Sequence, residues 1–324
     1  MSAVDRTRRD LGRRAPLFVS WMRHHGRSED LSRALGATPV FLSVGRLTDR
    51  RTAPVRHLLQ AVLTIAVLVR RRPPVLWVMA PPTSLVVLGL LWSRLTGCRI
   101  GVDAHTGAVL EPATGEPRSV RWLRRADVVV VTTERLAVPL RAKGVRACAL
   151  HDPPVATSTA PPSGRVVMPA SWYPDEPWAD VVGAAALLPD VAFVVTGRPP
   201  AALSDVPPNL TLSGYLDRGE YDDLVASADV VLALTTREDT MQRAAYEAVG
   251  AGRPVVASGT DALREYLFRG AVFTDGGPES LAEAVRTALR DRDRLAAEVV
   301  VLRDEHEKAF AAGLAAVAAA VAER

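Results

Sequence analysis

The chain has 324 residues, 48% hydrophobic and 23% charged, a globular composition with room for two domains of ordinary size. Two cysteines, Cys98 and Cys148, exclude a disulfide framework and a CxxC metal module, and the lack of any GxGxxG argues against a dinucleotide-dependent hydride-transfer enzyme. The net charge of +4 is concentrated early: fifteen arginines precede residue 73 against five acidic residues, a face suited to an anionic membrane or a phosphate-bearing acceptor. Nucleic acid is not the expected partner, because no aromatics are interleaved and no nucleic-acid motif occurs.

Residues 1–14 read as a basic tail with no apolar leader, which together with buried thiols predicts a cytoplasmic protein, peripheral at the inner face of the membrane if the arginines bind lipid. Pro16–Trp21 is the first strand. The turn after it, Met22 to Ser28, leads to a helix near Ser28, with Gly26 allowing close backbone approach and Arg27 able to fork onto a phosphate. Strands follow at Val40–Val44, Val75–Met79, Arg99–Asp103, Asp127–Val131 and Val145–Leu150. Helices are expected over Pro54–Arg71 and Thr83–Leu95. The apolar runs here, Leu58–Val69 and Val75–Trp92, are respectively too short to span a bilayer and broken by Pro81-Pro82. Asp103 and His105 stand at a strand's carboxyl end, where parallel sheets present ligands. His105 is either structural or catalytic on this reading.

Residues 152–163, proline-rich and uncharged after Asp152, form a linker between a domain at 15–151 and one at 164–324. The second domain repeats the strand series at Arg165–Met168, Val191–Thr196, Leu210–Ser213, Asp229–Leu234, Pro254–Ala257 and Ala271–Thr274. Alternating strands and helices predict a doubly wound parallel sheet in each half. Residues 293–324 form an alanine-rich helical tail.

The stretch Leu232–Ser258 concentrates the chemistry. A buried strand, a polar turn, a helix stopped near Gly252 and a further strand make one βαβ unit. Helix-start amides favour an anion, so the backbone of Thr240, Met241 and Gln242 is a candidate phosphate cradle. Glu247, two turns beyond Thr240, would meet sugar hydroxyls. Against this stands a plainer reading: Asp239 and Gln242 as a capping box, and Glu247 on a solvated face.

Asp239 to Glu247, with the Ala248–Ala257 run containing Pro254-Val255-Val256, resembles the donor-site motif of glycosyltransferase family 4, as do Thr260–Tyr266, Gly270–Phe273 and Pro278–Val285. Asp239 stands for the family's first glutamate and Thr240-Met241-Gln242 for its glycine turn. The N-terminal half resembles the eukaryotic β-1,4-mannosyltransferases of lipid-linked oligosaccharide assembly at Gly26-Arg27-Ser28, Asp103-Ala104-His105, Asp152-Pro153-Pro154 and Ser171–Glu176.

These resemblances imply the GT-B fold, two Rossmann-like domains facing a cleft, whose last helix crosses back to the first domain. They imply a metal-independent transferase moving a sugar from a nucleotide-sugar to a saccharide or lipid-linked acceptor, with no cofactor. Glu247 would hold ribose hydroxyls, Asp239 the transferred sugar, Tyr215 the base, and His105 the reacting sugar from the acceptor side, beside Gly26, Arg27 and Asp103. The family's usual Arg/Lys pair is missing from the loop Ala170–Pro177, so Gly197-Arg198, Arg237 and Arg243 are expected to meet the diphosphate. A non-catalytic nucleotide-sugar-binding subunit and a sugar epimerase remain as alternatives. Asp291-Arg292-Asp293 spells a metal-binding DxD but lies in a charged helical stretch and reads as solvated, and His24-His25 should point apart.

Overall fold

The computed structural model describes residues 15–45, 52–110, 119–154, 160–200, 203 and 205–322. The basic tail, Arg46, Arg50, Arg51 and residues 155–159 of the linker lie outside them. The chain divides into two compact units, the first made of Met1–Asp152 with Phe310–Arg324 and the second of Pro153–Ala309.

Unit 1 runs β1 (Leu17–Ser20), α1 (Gly26–Ala34), β2 (Thr38–Phe41), α2 (Ala53–Arg71), β3 (Val75–Ala80), α3 (Thr83–Thr96), β4 (Arg99–Ala104), α4 (Thr106–Val109), α5 (Val120–Leu123), β5 (Val128–Val131), α6 (Glu134–Ala142) and β6 (Ala147–Ala149). Its sheet is wholly parallel, in the order β2-β1-β3-β4-β5-β6. Parallel strands are covered on both faces and so read as unbroken apolar runs. Val128 to Val131 are each 0% exposed, with no polar face at all. A side chain such as valine contributes about 1.5–3 kcal/mol when fully buried, so the central strands anchor the unit. Gly101 in β4 is required by packing: a Cβ there would enter the Trp77 ring on the neighbouring strand.

Unit 2 runs β7 (Arg165–Met168), α7 (Trp178–Ala186), β8 (Ala192–Thr196), β9 (Leu210–Gly214), α8 (Arg218–Ala226), β10 (Val230–Ala233), α9 (Arg243–Gly250), β11 (Val255–Ser258), α10 (Asp261–Tyr266), β12 (Ala271–Thr274) and α11 (Pro278–Arg290). Its parallel sheet has the order β9-β8-β7-β10-β11-β12. In the first sheet β1 lies between β2 and β3, and in the second β7 lies between β8 and β10, so the strand order reverses between β1 and β3 and between β7 and β10. Ligands in such sheets sit outside the carboxyl ends of the strands at that switch.

A last helix, α12 (Arg292–Ala322), has 31 residues. Leu295, Val299 and Leu302 belong to the apolar cores of unit 2, whereas Phe310, Val317 and Val321 belong to that of unit 1.

Three local expectations need correction. The second strand lies at Thr38–Phe41, not Val40–Val44, because the ladder with Leu17–Ser20 starts earlier. Pro39 is tolerated there since β2 is an edge strand. Helix α1 starts at Gly26, before Ser28, capped by His25, whose Nδ1 accepts from the Ser28 N–H at 3.3 Å. Helix α2 outruns the Leu58–Val69 segment. At 19 residues it is long and apolar enough to cross a bilayer by length and composition, so the length argument against a membrane-active segment does not apply to it.

Candidate functional site

In unit 2 the loops after β7 and β10 flank the switch, and side chains stitch them together. The Asp175 carboxylate accepts from the Thr235 hydroxyl at 2.9 Å, and the Asp175 carbonyl accepts from the Thr236 N–H at 2.8 Å. Arg237 stands 3.9 Å from the same carboxylate. Glu176 is buried and turns back on its own loop, accepting from the Ser171 N–H at 3.0 Å and the Trp172 N–H at 2.7 Å. Its burial raises its pKa, and those amides partly offset the effect. The rigid floor beside this loop depends on Gly197, at φ +80°, where a Cβ would meet the Ala170 carbonyl and the Trp172 indole. The Gly197 N–H is itself bonded to the Gly214 carbonyl at 2.9 Å.

Helix α9 starts at Arg243 with Gln242 as its N-cap, and no side chain caps it. The capping-box reading of Asp239 is therefore corrected: Asp239, Thr240 and Met241 precede the helix. Thr240 and Glu247 consequently do not lie two turns apart on one helical stripe. The Thr240 hydroxyl is buried with no hydrogen-bond partner, a state that costs about 1–3 kcal/mol unless a ligand satisfies it. The first turn of α9 carries the Arg243 and Ala244 amides, whereas the Ala245 N–H is spent on the Gln242 carbonyl at 3.0 Å.

Glu247 lies one turn into α9 and is 3% exposed, so the solvated-face reading fails. It accepts from the Tyr221 hydroxyl at 2.5 Å and from Arg243 Nε at 3.3 Å. Burial raises its pKa; the Tyr221 bond and the charge of Arg243 act against that. The Tyr221 phenol is pushed well above its ordinary value, by burial first and then by the neighbouring carboxylate. Sequence reasoning missed Tyr221, because nothing within α8 marks one tyrosine as facing a helix 26 residues away. Tyr215, selected instead, is 84% exposed after the edge strand β9. Three strand spacings, about 14 Å, separate β9 from β10. Arg198 and Arg237 are exposed. The structure thus brings Arg243 and Glu247 together and leaves Tyr215 apart from them.

In unit 1 a second polar cluster stands at the carboxyl edge of the sheet. Arg27 is 6% exposed. Its Nε donates to Asp103 at 2.9 Å, and its Nη1 donates to the Leu150 carbonyl at 3.0 Å and to Asp152. The expectation that Arg27 forks outward onto a phosphate is corrected: its guanidinium ties α1, β4 and the end of the unit together. Asp103 is fully buried. Burial alone would raise its pKa, yet Arg27 and His105 hold it well below the usual carboxylate range.

His105 Nε2 lies 3.1 Å from the other Asp103 oxygen, and the ring is partly exposed. His25 packs edge-on against it, centroids 4.7 Å apart, and its pKa is lowered to about 4, by burial first and by His105 second. His24 turns away to Glu29 and Phe41, as expected. Gly26 opens α1 beside this pair. A buried carboxylate behind a partly exposed imidazole fixes the ring's orientation, so His105 presents a hydrogen-bonding group at its exposed edge.

Among the described residues no group of three or more His, Cys, Asp or Glu is placed to hold a metal. Asp291 of the DxD is engaged by Arg294 at 2.9 Å and Arg290 at 3.3 Å, and Asp293 by Arg292 at 3.2 Å.

Residues 176–291 match the family described as "Glycosyl transferases group 1". No curated protein sequence matches the chain. Among solved structures, Anabaena HepE in complex with UDP superposes with a TM-score of 0.70 at 14% identity, over 96% of this chain and all of that one. Sucrose-phosphate synthase from Thermosynechococcus elongatus gives 0.71 at 14% identity, over 94% and 98%. A glycosyltransferase from Rickettsia africae gives 0.67 at 11%, over 96% and 98%. The fold is accordingly GT-B, two Rossmann-like domains, each built on a six-stranded parallel sheet.

Proposed function

We propose that the chain is a glycosyltransferase that binds a nucleotide-sugar through unit 2 and transfers the sugar to a saccharide or lipid-linked acceptor recognised through unit 1. The observation that carries this reading is Glu247. It lies inside the matched segment, buried one turn into the helix after the switch-point strand, and Tyr221 and Arg243 orient it. A carboxylate held in this way keeps acceptor capacity for ribose hydroxyls. The nucleotide-sugar class is supported further by HepE, solved with UDP.

The Arg243 and Ala244 amides, the Thr240 hydroxyl and the charges of Arg198, Arg237 and Arg243 are suited to the diphosphate. The acceptor hydroxyl attacks the anomeric carbon and releases its proton to water, the bond from that carbon to the diphosphate oxygen breaks, and a nucleoside diphosphate leaves with the negative charge. Fixed amides and guanidinium groups stabilise that charge without a metal. Asp239 orients the sugar, and His105, braced by Asp103, acts at the reacting sugar or acceptor.

Calorimetry with UDP and turnover of UDP-sugars in excess EDTA test the reading. Glu247→Ala should weaken UDP binding by roughly ten- to several-hundred-fold, the worth of one or two charge-assisted bonds at about 1.5–3 kcal/mol. Alanine preserves the helix. His105→Ala should keep UDP affinity and lower turnover. Parent-like UDP binding by Glu247→Ala defeats the site assignment, and activity restored only by added magnesium or manganese defeats metal independence.

A further inference from the structure

Helix α2 packs on unit 1 by a side that carries two polar residues. Its buried residues are Gln60, Thr64 and Leu68. The Gln60 amide donates to the Leu42 carbonyl at 2.7 Å and the Trp21 carbonyl at 3.2 Å, and the Trp21 indole donates to the Thr64 hydroxyl at 2.9 Å. Apart from Leu68, buried in the core, and Ala61 and Val67, packed against it, a stripe of apolar residues faces out. Leu58, Val62, Ile65 and Val69 follow one another at helical spacing and are 43–65% exposed. On α3, packed beside it, Leu91 is 54% and Leu95 is 83% exposed. A contiguous apolar face of this kind marks an interaction surface.

The charge around the face identifies its partner. Residues 53–71 contain no acidic residue, and Arg70, Arg71 and Arg72 stand exposed at the helix end. A second copy of this chain would bring arginines against arginines across such a face, whereas an anionic bilayer complements both its apolar stripe and its cations. The helix is long enough to cross a membrane, but crossing would strip Gln60 and Thr64 of their bonds to unit 1. Lying in the plane of the interface keeps those bonds and covers the leucines and valines.

We propose that α2 is an in-plane anchor that seats unit 1 on an anionic phospholipid surface. This goes beyond the transferase reading and does not depend on it. The test is flotation of the full chain with vesicles of phosphatidylcholine plus phosphatidylglycerol, against phosphatidylcholine alone. The parent should float with the anionic vesicles at low salt. Leu58→Gln/Val62→Gln/Ile65→Gln, which keeps every charge and good helix formers, should weaken that binding by about tenfold or more. Arg70→Glu/Arg71→Glu should do likewise and remove the salt dependence. Both variants should keep the parent's UDP affinity, which separates loss of docking from loss of the nucleotide site, and circular dichroism monitors the fold. The proposal is overturned if the parent does not float with anionic vesicles, or if the triple variant floats as well as the parent. It is equally overturned if sedimentation velocity shows a parent dimer that the triple variant abolishes while neither protein binds vesicles.

Discussion

Asp103 in unit 1 and Glu247 in unit 2 are both buried carboxylates near the carboxyl ends of parallel strands, and their surroundings drive them in opposite directions. Asp103 faces a buried guanidinium at 2.9 Å and an imidazole at 3.1 Å. Those charges overcome desolvation, and the carboxylate stays ionised. Glu247 faces a neutral phenol and a more exposed arginine, with the Arg243 side chain 31% accessible. There desolvation prevails and its pKa rises. One carboxylate is therefore a fixed counter-ion that braces a fold and orients His105. The other is under-compensated, which suits it to the ribose hydroxyls of the function proposed above. Burial alone does not distinguish a structural acid from a binding one; what decides is how fully its charge has been met.

The largest test of this contrast is Arg27→Met. It leaves Asp103 and Asp152 buried without their shared cation, and breaking a buried pair this way costs about 3–5 kcal/mol. Urea unfolding should show that loss. A change below about 1 kcal/mol, the range of exposed pairs, would mean the cluster is not structural.

A smaller effect concerns His25. The unfolded chain protonates it near 6.5, whereas the folded chain resists until about 4. Its contribution to stability is therefore present above pH 6.5 and is lost as pH falls from 6.5 to 4, by up to about 3 kcal/mol. His25→Asn keeps a good N-cap and should flatten the stability profile in that window. Asp103, with its lowered pKa, weakens the fold only as pH falls below the unfolded aspartate value near 3.9, so the two windows do not overlap. A variant profile parallel to the parent's would place the proton uptake elsewhere.

The smallest effect is expected from Tyr221→Phe. The phenol's bond to the carboxylate is charge-assisted, worth about 1.5–3 kcal/mol, but it acts on UDP only by orienting Glu247, so its loss should raise the Glu247 pKa further and weaken UDP binding by roughly two- to tenfold. Calorimetry across pH 5–7 reads both changes. Equal affinity in parent and variant would show that Tyr221 does not hold the carboxylate in its binding orientation.

The sequence carries the fold almost completely, because fully buried parallel strands leave short, valine-rich apolar runs bounded by turn residues. Val128–Val131 and Val230–Ala233 need no context to be read. Much of the site is written in another way. Arg27 meets Asp103 and Asp152 across 76 and 125 residues, and no local pattern encodes that meeting. Asp239 followed by Gln242 imitates a capping box, yet the chain stays non-helical until Arg243. Periodicity identifies the apolar stripe of α2 but not its direction; the usual rule turns such a stripe inward, and here Gln60 and Thr64 take the inner side.

The last helix has a consequence for how the protein is made. Unit 1 closes its core with Phe310, Val317 and Val321, and a Cβ on Gly313 would press against Leu150. Those residues leave the ribosome only after all of unit 2. At roughly 5–20 residues per second, the six strands of unit 1 must wait about 10–30 s for the segment that completes them. During that interval Phe18, Leu31 and Trp77 lack part of their cover. The nascent chain therefore passes through a stage in which its earlier-made domain is the unfinished one, open to holdase chaperones and to aggregation until the final turns of helix arrive.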